Sequence, residues 1–287
     1  MPELPEVETI VRDLRKKIIN QRIADVLIFL PRAVQGDPDI FVRILKGNRF
    51  SDISRRGKLL IFSLAKGADK LLIHLKMTGQ LVYCHQGRLI AGGHSQADFD
   101  RHLPNRHTRA GFVFADHARL YFNDLRTFGY LRLASGQELA RELDKKFGPE
   151  PLSRQFNAIY LARAAKDRKI SIKGLLLDQK IVAGIGNIYA DEALHAAGIF
   201  PGRAAGRVNA RQMEKLVAAS KRILRQAIKY RGTTFNNYVD ADGQRGHFYQ
   251  HLKVYNRADQ PCLACGHLLR KTRIAGRGTA YCPACQH

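Results

Sequence analysis

The sequence predicts an α+β protein in two parts, and three observations predict it. Apolar residues recur at helical spacing in the first 19 positions, and the pattern then changes to a long series of strands up to about residue 133. Helical spacing returns after a Gly- and Pro-containing stretch near residue 150. The chain then closes on four cysteines arranged as two Cys-x2-Cys pairs. With 287 residues, 45% of them hydrophobic, there is enough chain for two cores of ordinary size.

The first element is an amphipathic helix over residues 3–19. Val7, Ile10, Val11, Leu14 and Ile18 form its stripe, and Glu8, Arg12 and Lys16 lie off it. The strand series includes Val26–Phe29, Lys58–Phe62 and Leu71–Leu75, with Phe112/Phe114 and Leu120/Phe122 alternating further on. One helix followed by strands points to a β-sandwich or barrel-like domain with the helix alongside. Gly87–His107, rich in Gly, His, Asp and Arg, reads as a long exposed loop. The domain is placed at 1–133 and an interdomain linker at 134–153. Helices follow near 155–166 and 170–178, from Asn187, and over 210–230 with Asn209 as N-cap. The helical domain is placed at 154–232 and the terminal segment at 233–287.

Cys262-x2-Cys265 and Cys282-x2-Cys285 stand 16 residues apart, the two-knuckle spacing of a four-thiolate zinc site. Leu268–Tyr281 between them reads as a hairpin carrying Arg270, Lys271, Arg273 and Arg277. So short a module cannot bury a core of its own, so one structural zinc ion must hold it. With protein filling all four positions, the ion has no place for catalytic water. The rest of the composition agrees with a nucleic-acid partner. Lys and Arg number 48 against 25 Asp and Glu, a formal net charge of +23. No apolar run approaches the ~20 residues of a membrane span, and the acidic start has no signal-peptide pattern. A cytoplasmic, nucleoid-associated location is expected, with no membrane partner.

The opening Met1-Pro2-Glu3-Leu4-Pro5-Glu6 has its own chemistry. Loss of Met1 would leave a secondary amine. An α-amino group titrates near about 8, against about 10.4 for lysine, so a useful fraction is nucleophilic at neutral pH. Attack on a sugar C1′ gives a permanently cationic iminium, which acidifies C2′ and allows elimination of the 3′ phosphate. A neighbouring carboxylic acid such as Glu3 can move the protons. The same residues also make an ordinary helix start, with Pro in the first turn and Glu favouring the dipole.

Taken together, several blocks resemble the bacterial formamidopyrimidine-DNA glycosylase (Fpg/Nei) family: Met1–Thr9, Arg55–Lys58, His74–Gln80, Asp124–Gly129, Leu177–Ala190, Gly232–Thr234, Val254–Tyr255 and the cysteine hairpin. They span nearly the whole chain in the family's order. The resemblance implies a sandwich with a flanking helix, a helix-two-turn-helix (H2TH) domain and a zinc-finger hairpin. It implies base excision repair of oxidised purines in double-stranded DNA through an N-terminal proline Schiff base and β,δ-elimination, by a monomer. Pro2 would be the nucleophile, Glu3 the proton shuttle, Glu6 a supporting group, and Lys58 and Arg277 further catalytic residues at the lesion phosphate. His74, Asn187 and Tyr255 would hold backbone phosphates with Arg277. Met77, Arg126 and Phe128 would fill the space left by the extruded nucleotide. Thr234–Arg245 would close over the flipped base.

Two other readings predict different behaviour. An endonuclease VIII-like enzyme would prefer oxidised pyrimidines; its usual opening has Gly where Leu4 stands here. A non-enzymatic zinc-containing DNA-binding protein would bind without covalent chemistry. The chain departs from the family pattern in the Gly92–His107 insertion, and Thr78 occupies a position that varies in the family and can touch the damaged base.

Overall fold

The computed structural model describes residues 1–93, 102–233 and 247–287. These form two compact units. The first joins Met1–Leu143 to Tyr230–Tyr249, and the second joins Asp144–Lys229 to Gln250–His287.

In the first unit, helix α1 runs Leu4–Ile18, with Glu3 at its N-cap and Pro in the first turn. Glu6 accepts the Glu3 N–H at 2.8 Å, one half of a capping box. Arg15, Lys16 and Lys17 in the last turn oppose the negative end of the dipole. The expected stripe of Val7, Ile10, Val11, Leu14 and Ile18 is buried throughout.

Strands β1 (Ile23–Ile28), β2 (Val34–Gln35), β3 (Phe50–Arg56), β4 (Leu59–Leu64) and β5 (Asp69–His74) are followed by β6 (Gly79–His85), β7 (Arg88–Gly93), β8 (Thr108–Phe114), β9 (Arg119–Asp124) and β10 (Tyr130–Ser135). They form two five-stranded sheets, ordered β1-β8-β9-β6-β7 and β2-β10-β5-β4-β3. Pairing is antiparallel except for β10 with β2. Leu60, Phe62, Leu71 and Ile73 from one sheet share a core with Leu81, Phe112, Leu120 and Phe122 from the other, joined by the α1 stripe. Phe50 contacts both sheets, with ring centroids 5.1 Å from Phe62 and 5.9 Å from Phe112. This is the sandwich with a flanking helix that the strand series and the resemblance predict.

Three elements differ from the sequence reading. Arg88–Gly93 is strand β7, paired to β6, where a loop is expected from residue 87. The glycine that suggests a loop is there for space: a Cβ on Gly92 would lie 2.4 Å from Cγ1 of Ile10. Helix α2 (Pro38–Leu45) is capped by Asp37, whose carboxylate accepts the Asp39 and Ile40 N–H groups. Its eight residues give too few turns to show a period. Helix α3 (Gly136–Lys146) fills much of the stretch read as linker, and Arg132 pairs with its Glu138 and Glu142.

The second unit carries α4 (Ala158–Ala165), α5 (Ile172–Leu177), α6 (Asn187–Ala197) and α7 (Ala210–Lys229). Asn157 and Ser171 cap α4 and α5 through their side chains, and Asn209 accepts the Gln212 N–H at 2.9 Å at the start of α7. Gly198 ends α6 in the left-handed conformation. Between α5 and α6, Gln179 fixes the link. Its amide donates to Leu177 O and Ile185 O and accepts the Gly184 N–H at 2.8 Å. Strands β11 (Arg270–Ile274) and β12 (Arg277–Tyr281) form the terminal hairpin. Ala275 and Gly276 both have positive φ, as a two-residue type I′ turn requires.

Candidate active site and nucleic-acid interface

In the first unit, topology brings most of the expected residues to one rim of the sandwich. Residues Leu59, His74 and Tyr130 are neighbours across β4, β5 and β10. Lys58 immediately precedes the first, on the tip of the β3–β4 hairpin after Gly57, and its side chain is buried. The turn after His74 carries Met77 and crosses to β6. The turn after Asp124 carries Arg126 and Phe128 and crosses back to β10. Gly79 and Asp124 pair, so the two crossings run side by side.

Helix α1 reaches the same rim with its N-terminus. Its far end bridges Ile19 to Phe50, Arg15 meets Asp52 at 3.0 Å, and Glu8 meets Arg55 Nε at 2.8 Å. The helix therefore lies along β3 with Pro2 and Glu3 toward the Lys58 tip. Burial acts to raise the Glu8 carboxyl, but Arg55 and Arg12 outweigh it and hold the group below its usual range. Pro2 and Glu3 are buried, while Met1 stays 45% exposed.

Glu6 joins this terminus to a second segment. Its Oε1 accepts the Thr233 N–H at 2.8 Å and the Thr233 hydroxyl at 3.1 Å. Gly232, at φ +85°, leaves room for it; a Cβ there would lie 2.6 Å from Oε1. Arg231 pairs with Asp13 at 2.6 Å. His247 and Phe248 then return their N–H groups to Tyr230 O and Gly232 O. The Thr234–Arg245 stretch expected to cover the flipped base lies outside the described residues, as do residues 94–101 of the insertion.

His74 is held in one tautomer. Its Nδ1 accepts the Lys76 N–H at 3.0 Å, which leaves the proton on Nε2. Burial, then Lys76 and Lys58, push its pKa down to about 3, so the ring is a neutral donor. Met77 and Phe128 are 36% and 52% exposed, more than core packing permits. Arg126 touches both, with Nη1 3.5 Å from the Met77 sulfur and the guanidinium 4.6 Å from the Phe128 ring centre.

In the second unit, Asn187 begins α6 and donates from Nδ2 to Gly278 O at 3.0 Å, beside Arg277. Asn187 and Tyr255 line a cavity of about 400 Å³ with Lys271 and Gly278. Arg277 itself is exposed at the start of β12. Three residues that sequence reasoning did not single out fix this arrangement. Glu192, 3% exposed, accepts the N–H groups of Lys253, Val254 and Tyr255 at 2.8–2.9 Å. Lys173, fully buried, reaches Asp191 at 2.7 Å and Thr279 Oγ1 at 2.7 Å. Burial pushes the Asp191 carboxyl up to about 7 against the pull of Lys173. The available signal was an Asp–Glu pair within the apolar face of α6.

The four cysteine sulfurs lie within 4.8 Å of one another, with three separations of 3.3, 3.4 and 4.0 Å. Four thiolates each ~2.3 Å from one tetrahedral zinc stand about 3.8 Å apart, so the set fits one ion. His195 Nε2 lies 3.6 Å from the Cys262 sulfur, where an N–H would stabilise a bound thiolate.

A sandwich with a helix-borne N-terminus, an H2TH element and a four-cysteine hairpin define a zinc-finger class of DNA glycosylase. Family models agree across the chain. The formamidopyrimidine-DNA glycosylase N-terminal domain matches residues 1–131, its H2TH domain 147–238, and the zinc finger found in FPG and IleRS 259–287. A formamidopyrimidine-DNA glycosylase of Desulfitobacterium hafniense is 43% identical over the full length of both chains. One of Carboxydothermus hydrogenoformans is 40% identical, again over both full lengths. Among solved structures, a Lactococcus lactis FPG mutant in complex with Fapy-dG-containing DNA superposes with a TM-score of 0.89 at 33% identity, covering all of both chains. The Lactococcus lactis Fpg complex with abasic-site DNA gives 0.88 over 99% of each. The chain belongs to the formamidopyrimidine-DNA glycosylase family, whose members are bifunctional glycosylases and AP lyases. Among the described residues, no helix is long and apolar enough to cross a membrane.

Proposed function

We propose that the chain excises oxidised purines, 8-oxoguanine and formamidopyrimidines, from duplex DNA and then cuts the strand by β,δ-elimination. The observation that carries the reading is the rim on which the α1 N-terminus, the Lys58 hairpin tip and the Met77 and Phe128 turns meet.

After Met1 is removed, the Pro2 nitrogen attacks C1′ of the extruded nucleotide. The C1′–base bond breaks and its electron pair leaves with the base, which takes up a proton. Glu3 protonates the ring oxygen as the sugar opens, giving the C1′ iminium. Its carboxylate then removes a C2′ proton, and the 3′ phosphate leaves. A second elimination expels the 5′ phosphate, leaving a one-nucleoside gap. Lys58 and Arg277 hold the phosphate at the lesion. His74 offers a neutral Nε2–H, and Asn187 and Tyr255 complete the backbone contacts. Met77 and Phe128 fill the vacated stack while Arg126 meets the widowed cytosine. The zinc ion orders the hairpin bearing Arg277 and takes no part in the chemistry. The enzyme acts as a monomer on nucleoid DNA in the cytoplasm.

Borohydride trapping on an 8-oxoguanine:cytosine or abasic duplex, followed by mass spectrometry, tests the nucleophile. An adduct on Pro2 is expected. An adduct on a lysine would move the nucleophile, and no adduct from Met1-free protein would leave only DNA binding. Parallel cleavage of an 8-oxoguanine and a thymine glycol duplex tests the substrate; preference for thymine glycol overturns the purine assignment.

A further inference from the structure

The two turns of the wedge carry backbone strain. Lys76 has φ 49° and Thr127 φ 54°, and both lie in the left-handed region. For a β-branched threonine this conformation is costly and persists only where the surroundings impose it. Both turns are also closely packed. A Cβ on Gly79 would lie 2.3 Å from Leu75 O, and one on Gly129 would lie 2.9 Å from His74 O.

One carboxylate holds the two turns together. Asp124, 1% exposed, accepts the Gly129 N–H through Oδ2 at 2.7 Å. Its Oδ1 accepts the Thr78 hydroxyl and, at 3.3 Å, the Arg126 N–H. The Thr78 oxygen accepts that same Arg126 N–H at 3.0 Å. Thr78 belongs to the Met77 turn, and Arg126 and Gly129 belong to the turn carrying Phe128. The pair therefore crosses from one turn to the other and closes on the backbone of a wedge residue.

We propose that Asp124 and Thr78 are positioning residues for base extrusion: their clasp fixes Met77, Arg126 and Phe128 as one preformed wedge. The inference rests on the proposed glycosylase reading. It also gives Thr78 a role other than reading the damaged base, because its single hydroxyl proton goes to Asp124. Without the clasp each turn can relax separately, and the wedge must be assembled at the moment the base leaves the stack. An abasic nucleotide has no base to unstack, so it makes less demand on the wedge.

The test uses Met1-free, zinc-loaded full chains with Thr78→Val, Thr78→Ser and Asp124→Asn. Single-turnover rates are measured for excision of 8-oxoguanine opposite cytosine and for cleavage of the same duplex with a preformed abasic site. Losing a charge-assisted hydrogen bond corresponds to about tenfold to hundredfold in rate. Thr78→Val and Asp124→Asn are expected to lose that much on 8-oxoguanine and under about threefold at the abasic site, with Thr78→Ser restoring excision. Equal losses on both duplexes, or no loss for Thr78→Val, would overturn the clasp. If Asp124→Asn fails to fold, the Thr78 pair alone decides. Wild-type protein inactive on both duplexes overturns the glycosylase reading, and the clasp with it.

Discussion

Replacing Glu6 by glutamine tests how far one carboxylate couples the catalytic terminus to the segment after α7. In the wild type, one oxygen takes the Glu3 N–H and the other takes the N–H and hydroxyl of Thr233. Glutamine has one carbonyl oxygen. If that oxygen faces Glu3, the amide group meets the Thr233 N–H; if it faces Thr233, the amide meets the Glu3 N–H. The Thr233 hydroxyl can rotate to accept, but neither backbone N–H can. One part-buried charge-assisted hydrogen bond is therefore lost in either orientation, about 1.5–3 kcal/mol. Where that energy holds Pro2 and Glu3 in reacting geometry, the trapping rate falls about tenfold to hundredfold. Gly232→Ala should act similarly, since its Cβ would press on the same oxygen from a backbone at φ +85°. The assay is the single-turnover rate of borohydride adduct formation on an abasic duplex, with thermal unfolding followed in parallel. A Glu6→Gln enzyme that traps at the wild-type rate would refute the coupling.

Other features give sharp expectations. His74, with a pKa near 3 against an ordinary 6.5, binds a proton in the unfolded chain that the folded chain refuses between those values. Its contribution to stability is therefore complete above pH 6.5 and is lost as pH falls toward 3. Imidazole NMR should show a fixed Nε2–H tautomer from pH 5 to 8, and titration near 6.5 would contradict this. Removing zinc should abolish amide-exchange protection in β11 and β12 and with it most duplex affinity, because ~10–16 kcal/mol of metal binding orders such small units; retained protection would count against it. Gly92→Ala should destabilise the sandwich by about 1–3 kcal/mol, as the Cβ meets Ile10 in the core. An unchanged unfolding midpoint would show that Ile10 can move aside.

The periodic elements were legible because their periods are long enough to count. Helix α1, α7 and the apolar strands declare themselves through residues such as Val7, Leu14, Phe62 and Leu72 that cannot face water. The zinc knuckles declare themselves by spacing alone. Strand β7 did not, because Gly92 reads as a breaker when considered locally. Only the approach of Ile10, 82 positions earlier, explains it. Helix α3 was hidden by its charges, which in the fold are partners for Arg132. The chemical residues Pro2, Lys58 and Asn187 came from motifs. Of the groups that position them, Glu6 was named through the resemblance, but Asp124 and Glu192 were not legible, because a single Asp or Glu carries no pattern showing which backbone groups it will meet.

Those positioning groups share one physical device. The chain is strongly basic, yet acidic side chains in each unit, Glu6, Asp124 and Glu192 among them, accept backbone N–H groups beside residues expected to meet DNA. Glu6 holds Glu3 and Thr233, Asp124 holds Arg126 and Gly129, and Glu192 holds Lys253 to Tyr255. A carboxylate accepts several donors at once and binds them more strongly than a neutral acceptor would. Turned inward, it also adds little negative potential toward a polyanion. A lysine or arginine in the same place could not accept at all, and a serine or asparagine could satisfy fewer donors. The consequence separates two kinds of mutant. Loss of a surface cation such as Arg277 should lower affinity and flatten its salt dependence. Loss of Glu192 should lower affinity with the salt slope nearly kept, because the cations remain and only the backbone that presents Tyr255 has moved. Measuring duplex affinity of Arg277→Ala and Glu192→Gln across a salt series distinguishes them, and a slope reduced equally in both would refute the division.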